Sequence, residues 1–365
     1  MSDRILPGAS HGARPTMREL AAMPWIQLFA SPACNLRCPY CSSPANWRRV
    51  GQPDDINAAD AFQKAVVLEL VERIPPTSFY LSGGEPLIHP GVEDFVSRAI
   101  ARGHVISFDT NLCVPVEKLA ALFDAWDPAH VGFVNVSHHI AAGITFDYLV
   151  KRVDVVRERH LPHFVKYVGV PEHSGQIDAL MRRWRDVGTG TAITILQGDW
   201  HGRRLPEENT LDEVLFILEH VTLGVHGLQL FNGIRSKGMP CRGGQDFICY
   251  NMDGRMRVVP CCCAATFPKP LDETFFGTGS RTSLACPAAT CRGDAMFIFN
   301  VNGVAEETDR FEAVCNGRSE FLGAEAAIAF IRDVERRGYE VTNKDQLERV
   351  AAAVAGRTAG AAITQ

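Results

Sequence analysis

Short β-branched or aromatic runs alternate with amphipathic stretches along the first two thirds of the chain, and this constrains its fold most. The runs are 25–31, 78–81, 105–109, 131–136, 163–170 and 191–196. The helix-like stretches are 57–72, 91–102, 116–125, 146–159, 176–187 and 211–220. Such alternation predicts repeated βα units around a parallel sheet. Because six units fall short of a closed barrel of eight, we expect an α/β fold, either an open partial barrel or a doubly wound sheet. Functional residues should follow the carboxyl ends of its strands.

The composition of the sequence changes after residue 236, where Gly, Pro and Cys become more frequent. Asp253-Gly254 and Asn302-Gly303 are turn signals that predict short hairpins. Helical spacing returns at 323–337 and 344–354, before a predicted solvated tail. We therefore expect four segments: 1–24 as an N-terminal extension, 25–235 as the βα domain, 236–320 as a small metal-binding domain, and 321–365 as helices and tail.

Charge and composition narrow the class of partner. The net charge of −5 disfavours nucleic acid or an anionic membrane as the main partner, and no run of about 18 apolar residues is present to span a bilayer. Residues 1–24 lack the apolar region of a signal peptide, which predicts a cytoplasmic protein. In that compartment the twelve cysteines are better explained by metal binding or chemistry than by disulfides.

The first cysteine group directly follows the first predicted strand. Cys34, Cys38 and Cys41 lie on one loop, whereas a structural zinc site needs four protein ligands. Three thiolates suit a cubane iron–sulfur cluster that keeps one iron open for another ligand. A chance run of structural cysteines, or a zinc loop completed from elsewhere, is the alternative.

This loop, with Tyr40 before its third cysteine and Gly83-Gly84-Glu85-Pro86 ending the second strand, resembles the radical S-adenosylmethionine (SAM) superfamily. The resemblance implies a partial (β/α)6 TIM-like barrel. It also implies that Cys34, Cys38 and Cys41 bind a [4Fe–4S] cluster whose open iron is chelated by SAM. The implied contacts to SAM are Tyr40, Gly83, Gly84, Glu85, Asn111 and Ser137. Asn111 and Ser137 could equally be ordinary strand-end caps.

The second cysteine group is similar to the auxiliary-cluster extensions called SPASM and twitch domains. The resemblance implies an auxiliary [4Fe–4S] cluster with Cys241, Cys261, Cys286 and Cys291 as ligands. Cys262 and Cys263 remain alternatives to Cys261, and a zinc site with the same cysteines is the structural alternative. One auxiliary cluster is favoured over two. Cys113 and Cys249 have apolar sequence neighbours, which favours packed thiols.

The resemblance implies an enzyme that reductively cleaves SAM to a 5′-deoxyadenosyl radical and abstracts a substrate hydrogen. An external donor of the flavodoxin or ferredoxin type would supply electrons, and the auxiliary cluster would support electron transfer. Peptide-modifying members of this superfamily often carry a leader-binding domain before the barrel, whereas only about 24 residues precede the first strand here. We therefore expect oxidation or epimerisation of a small-molecule metabolite, namely a sugar, an aminoglycoside or an amino-acid derivative. The alternative is a ribosomal-peptide maturase that forms a crosslink or thioether. A non-enzymatic iron–sulfur or zinc-stabilised protein, the alternative from another class, would not need Gly83–Pro86.

Overall fold

The structure, a computed structural model, describes residues 14–41, 60–244, 246–250, 258–259, 261, 284–304 and 306–363. The chain forms two compact units. The first comprises Met1–His163 and Cys241–Leu284, and the second comprises Phe164–Pro240 and Ala285–Gln365.

Strands and helices are numbered along the chain. The strands are β1 Trp25–Phe29, β2 Ser78–Ser82, β3 Val105–Thr110, β4 Val131–Ser137, β5 His163–Gly169, β6 Gly190–Ile195, β7 Gly198–Trp200, β8 Arg203–Leu205, β9 Ile234–Arg235, β10 Pro240–Cys241, β11 Phe247–Tyr250, β12 Val258–Val259, β13 Leu284–Ala285 and β14 Thr290–Cys291. The helices are α1 Met17–Ala22, α2 Ala65–Arg73, α3 Val92–Ala101, α4 Val116–Ala125, α5 Phe146–Glu158, α6 Ser174–Asp186, α7 Leu211–His220, α8 Gly224–Gln229, α9 Asp294–Ile298, α10 Thr308–Cys315, α11 Gly323–Arg336 and α12 Lys344–Ile363.

The first unit contains a mostly parallel sheet. Its strands follow the order β12-β11-β1-β2-β3-β4, with only β12 antiparallel to its neighbour. Trp25 lies opposite both Ser78 and Phe247, which fixes the register of β1 with its two neighbours. Since β1 to β4 run in the same direction, the loops that follow them meet at one edge of the sheet. The predicted α/β fold with a mostly parallel sheet is confirmed.

The edge where these strands begin is closed by apolar side chains. The rings of Trp25, Tyr80 and Phe133 pack on one face of the sheet with centroids 5.6–6.4 Å apart. Helix α1 begins at a capping box formed by Thr16 and Glu19. It buries Leu20, whose carbonyl accepts a 2.7 Å hydrogen bond from the Trp25 indole. This edge is therefore a packed core.

The second unit holds β5 and β6, which pair in parallel, and a group of helices. Trp184 of α6 packs behind β5 and donates a 2.7 Å hydrogen bond to the Tyr167 hydroxyl. A Cβ built at Gly224 would lie 2.4 Å from the Phe330 ring, so only glycine lets α8 approach α11 this closely. Helices therefore supply most of this unit's core.

All six predicted strands are present, with their ends shifted by one or two residues. The helix predicted over 57–72 begins at Ala65, after a 3-10 turn at Ala61–Gln63, and residues 57–59 lie outside the described residues. Strand β11, which joins the main sheet beside β1, was not predicted from the sequence. It was too short to show a periodicity of its own, and its place was decided by pairing.

Two predictions for the region after residue 236 are wrong. Asn302-Gly303 was expected to form a hairpin, but it is a turn between helices α9 and α10. The tail expected from residue 355 is wrong as far as residue 363, because α12 continues to Ile363. Its alanine-rich sequence favours helix intrinsically. Asp253-Gly254 lies outside the described residues, and the four-segment division stays a prediction.

None of the helices in the described ranges has the length and apolarity that crossing a bilayer requires.

Candidate functional site

The loop that follows β1 carries the first cysteine group. Cys34 and Cys38 are half-buried and Cys41 is exposed. Burial raises the pKa of Cys34 to about 11 and that of Cys38 to about 12, and the charges of neighbouring thiolates add to both shifts. The three thiols therefore lie within electrostatic reach of one another. Such a group ionises readily only when bound cations compensate its charge, as the irons of a cluster do.

Gly83 and Gly84 hold the second motif against this loop. The Gly84 amide donates to the Ser31 carbonyl at 2.8 Å, and the Glu85 amide donates to the Ala33 carbonyl at 2.9 Å. A Cβ at Gly84 would lie 1.8 Å from the Ala33 oxygen, and Gly83 has a φ of +129°. Glycine is thus required at both positions for this close backbone approach. The sequence indicated a close approach to a ligand, and the structure adds this close approach to the cysteine loop.

Glu85 is fully buried and links the 3-10 turn Pro86–Ile88 to the end of β3. Its Oε1 accepts from the Leu87 amide at 3.0 Å and from the Thr110 hydroxyl at 2.6 Å, and its Oε2 accepts from the Asn111 amide at 2.6 Å. Burial raises the pKa of Glu85 to about 7, against the lowering effect of these bonds. The carboxylate therefore binds the protein itself, and its predicted contact with SAM stays a prediction.

Asn111 connects the end of β3 to the cysteine loop. Its Nδ2 donates to Asn35 Oδ1 at 3.0 Å and lies 3.8 Å from Cys34 Sγ, while its Oδ1 accepts from the Cys113 amide at 2.8 Å. The Cys113 thiol donates to the Asn111 carbonyl at 3.2 Å, and its pKa is raised to about 11 by burial and by the charge of Glu85. Cys113 is thus a half-buried thiol near the cysteine loop, where apolar packing was expected. The sequence signal that could have predicted this location is the position of Cys113, two residues after Asn111.

The remaining predicted residues of the first unit are Ser137, which ends β4, and Tyr40, which lies on the cysteine loop. Tyr40 is buried, and its hydroxyl lies 3.1 Å from His139 Nδ1. The Ser137 hydroxyl donates to Asp109 Oδ1 at 3.2 Å. Burial lowers the pKa of His138 to about 4, so this imidazole is neutral at pH 7, with Nε2 lying 2.9 Å from the Ile144 carbonyl. The structure therefore places Tyr40, Ser137 and Asn111 at the edge where the sequence expected them.

The cysteines predicted to bind an auxiliary cluster are buried. Cys241 and Cys261 belong to the first unit, and Cys286 and Cys291 belong to the second. Cys241 Sγ accepts from the Gly243 amide at 3.2 Å, and Cys291 Sγ accepts from Asn302 Nδ2 at 3.6 Å. Cys262 and Cys263 lie outside the described residues. The auxiliary ligand set therefore stays a prediction.

The donor set decides which kind of metal group the first loop fits. Within the described ranges, no three His, Cys, Asp or Glu side chains converge tightly enough to hold a single metal ion. A [4Fe–4S] cubane spreads its ligands over several irons, so three separated thiols on one loop fit it better than they fit a zinc ion.

Comparison with known proteins identifies a domain in the first half of the chain. Residues 28–183 match the radical SAM superfamily. The chain carries a radical SAM domain. The matched range includes the three cysteines of the first loop and Gly83–Pro86, and the cofactors of this superfamily are SAM and a [4Fe–4S] cluster.

Individual relatives extend this comparison. The PqqA peptide cyclase of Gluconobacter oxydans (strain 621H) is 26% identical over 254 residues, covering 64% of this chain and 69% of the relative. The 7-carboxy-7-deazaguanine synthase of Methanothermobacter thermautotrophicus is 26% identical over 175 residues, covering 43% of this chain and 67% of the relative. Among solved structures, hexahistidine-tagged anSMEcpe with bound AdoMet superimposes with a TM-score of 0.50 at 12% identity, covering 90% of this chain and 96% of that chain. This last similarity concerns the fold alone.

Proposed function

We propose that this radical SAM enzyme modifies a peptide. The support is the extent of the similarity to PqqA peptide cyclase, which covers 64% of the chain. The superfamily match at residues 28–183 is shorter, so the similarity to the peptide cyclase continues past the part that radical SAM proteins share. The sequence favoured a small-molecule substrate and kept the peptide maturase as its alternative. That alternative has the better support.

The cofactor and the protein divide the chemistry between them. When bound, the cluster and SAM supply one-electron cleavage of SAM and abstraction of a hydrogen atom from the substrate. Cys34, Cys38 and Cys41 would hold the cluster, and Gly83 and Gly84 bring the second motif against their loop. Because the Glu85 carboxylate accepts three hydrogen bonds from the protein, it fixes the end of β3 relative to this motif. Asn111 lies beside Cys34, where its amide would orient this proposed cluster ligand.

The proposal is tested with anaerobically reconstituted full chain, SAM, dithionite as reductant, and a library of synthetic peptides. The expected result is 5′-deoxyadenosine together with a peptide that has lost hydrogens, as a crosslink requires, both detected by mass spectrometry. Turnover of a sugar or an amino-acid derivative with every peptide unchanged would contradict the peptide proposal. A protein that binds zinc and no iron would contradict the radical SAM chemistry as well.

We further propose an auxiliary [4Fe–4S] cluster with Cys241, Cys261, Cys286 and Cys291 as ligands. Two clusters would give about eight irons per chain. The variant Cys286→Ala should retain about four irons and still cleave SAM without substrate turnover, whereas Cys249→Ala, in a packed thiol, should keep all of them. An iron content near four in the unmodified protein would contradict the auxiliary cluster and leave the first cluster standing.

A further inference from the structure

The described part of the first unit contains a buried serine–histidine–aspartate group that none of the proposed chemistry uses. His89 Nε2 lies 3.1 Å from Ser31 Oγ, and His89 Nδ1 lies 3.6 Å from Asp60 Oδ1. Ser31, Asp60 and His89 are each at most 1% exposed. They come from three separate segments: the end of β1, the start of the turn Ala61–Gln63, and the residue after the turn Pro86–Ile88.

This arrangement has the order of a hydrolytic triad but not its accessibility. A nucleophilic serine must reach a substrate, whereas the Ser31 hydroxyl is buried and already accepts a 2.9 Å hydrogen bond from the Ala33 amide. Asp60 is equally occupied, because it accepts from the Phe62 amide at 2.9 Å, the Gly91 amide at 2.8 Å and the Gln63 side chain at 3.0 Å. The group therefore holds backbone segments together.

The segments that it holds carry the two motifs of the radical SAM site. Ser31 and Ala33 precede Cys34, and their carbonyls accept the amides of Gly84 and Glu85 at 2.8 and 2.9 Å. His89 follows the same glycine motif and is fixed from its far side by the Phe62 ring, edge-on at 5.9 Å. Burial lowers the pKa of His89, so the neutral imidazole can accept a hydrogen bond from the Ser31 hydroxyl at Nε2 and direct Nδ1–H towards Asp60.

We propose that His89 is a positioning residue for SAM, which acts through Ser31 by fixing the backbone from Ser31 to Ala33 against the glycine motif. Without the imidazole, the Ser31 hydroxyl loses its buried partner and can rotate away from the Ala33 amide. The two backbone hydrogen bonds that join the motifs then lose their fixed geometry. The three cysteines are unchanged, so the cluster still assembles. The backbone beside it shifts, however, and the residues that contact SAM are displaced.

The test compares two buried histidines of the first unit. His89→Leu removes the proposed brace. His104→Leu is the matched control, because His104 is also fully buried and fully bonded, with the Thr77 amide at 3.0 Å from Nδ1 and the Val71 carbonyl at 2.9 Å from Nε2, but it lies at the opposite edge of the sheet. His89→Gln is the rescue variant, since its terminal amide can reach the position of Nε2.

The measurements use the reconstituted full chain: iron content, melting temperature, and the dissociation constant of SAM followed by the change in the electron paramagnetic resonance spectrum of the reduced cluster. We expect His89→Leu to keep its iron and to bind SAM about tenfold more weakly, equivalent to about 1.4 kcal/mol. His89→Gln should recover most of the affinity. His104→Leu should lower the melting temperature with SAM affinity unchanged.

Unchanged SAM affinity in His89→Leu, or an equal loss in His104→Leu, would overturn the proposal. If His89→Leu does not fold, Ser31→Ala tests the same contact with a smaller change. It should also weaken SAM binding with full iron content, and wild-type affinity in Ser31→Ala would overturn the proposal too.

Discussion

The two edges of the sheet in the first unit are built on opposite principles, although the same four strands form both. Where β1 to β4 begin, Leu20 and Trp25 pack in an apolar layer, and His104 has a partner on each ring nitrogen. Where the strands end, a buried carboxyl at Glu85 accepts three hydrogen bonds and the Cys38 thiol is only half-buried.

The edge where the strands begin therefore contributes mainly to stability, and the edge where they end carries the chemically reactive groups. Burial of apolar side chains at the first edge stabilises the fold by roughly 1.5–3 kcal/mol for each large side chain. At the second edge, burial raises the pKa of the cysteines, so their charged forms are disfavoured until bound cations compensate them, and it raises the pKa of Glu85 against three hydrogen bonds from the protein. Changes at the two edges should therefore affect different measurements.

The largest effect is expected from Cys38→Ala at the edge where the strands end. Loss of one of the three proposed cluster ligands should reduce SAM cleavage at least about a thousandfold, since cleavage of SAM requires an intact cluster. The melting temperature of the apoprotein should change little because the loop is half-exposed. The measurement is 5′-deoxyadenosine formed per chain, with iron content. The matched control is Cys113→Ala, which removes a neighbouring thiol and should leave the iron content unchanged. If Cys113→Ala lost as much iron as Cys38→Ala, this division of roles would be contradicted.

Leu20→Ala tests the opposite edge. The cavity left under Trp25 should lower the free energy of unfolding by about 2–5 kcal/mol, because Leu20 is fully buried. SAM cleavage per bound iron, measured well below the melting temperature, should equal that of the unmodified protein. A large loss of cleavage in a folded Leu20→Ala protein would show that the two edges are coupled.

The pH dependence of stability should carry a contribution from His138, at the end of β4. Burial lowers its pKa to about 4, below the value of 6.5 in the unfolded chain. The unfolded chain therefore binds more protons between these values, and stability is lost as the pH falls through this window, by about 3 kcal/mol in total. His138→Gln should flatten the profile, which denaturant titration at several pH values measures. An unchanged slope would mean that His138 is not buried in its neutral form.

The smallest effect is expected from Cys249→Ala in β11. Cys249 is fully buried, and its thiol lies 3.5 Å from Gln27 Oε1. The loss of one packed sulfur should cost about 1 kcal/mol of stability and no iron. Iron analysis alongside denaturant titration checks both values, and a loss of iron would make Cys249 a cluster ligand.

Much of the fold could be predicted because the sequence carries its periodicity locally. The strand beginning at Trp25 and helix α3 appear where alternation and helical spacing indicated them. Strand β11 and helix α10 could not be found this way, because they span only four and eight residues, too few to show a clear periodicity. Their conformations depend on the neighbours they pair with or pack against.

The sequence by itself predicted the radical SAM domain, because three cysteines at a fixed spacing and a glycine motif one βα unit later resemble the motifs of that superfamily. Tertiary structure decided what Gly84, Glu85 and His89 do. Their roles depend on atoms far away in the sequence: the Ala33 oxygen that excludes a Cβ, the amide of Asn111, and the hydroxyl of Ser31. A pattern of residue types states which chemistry is available, whereas close packing alone brings these partners within hydrogen-bonding distance.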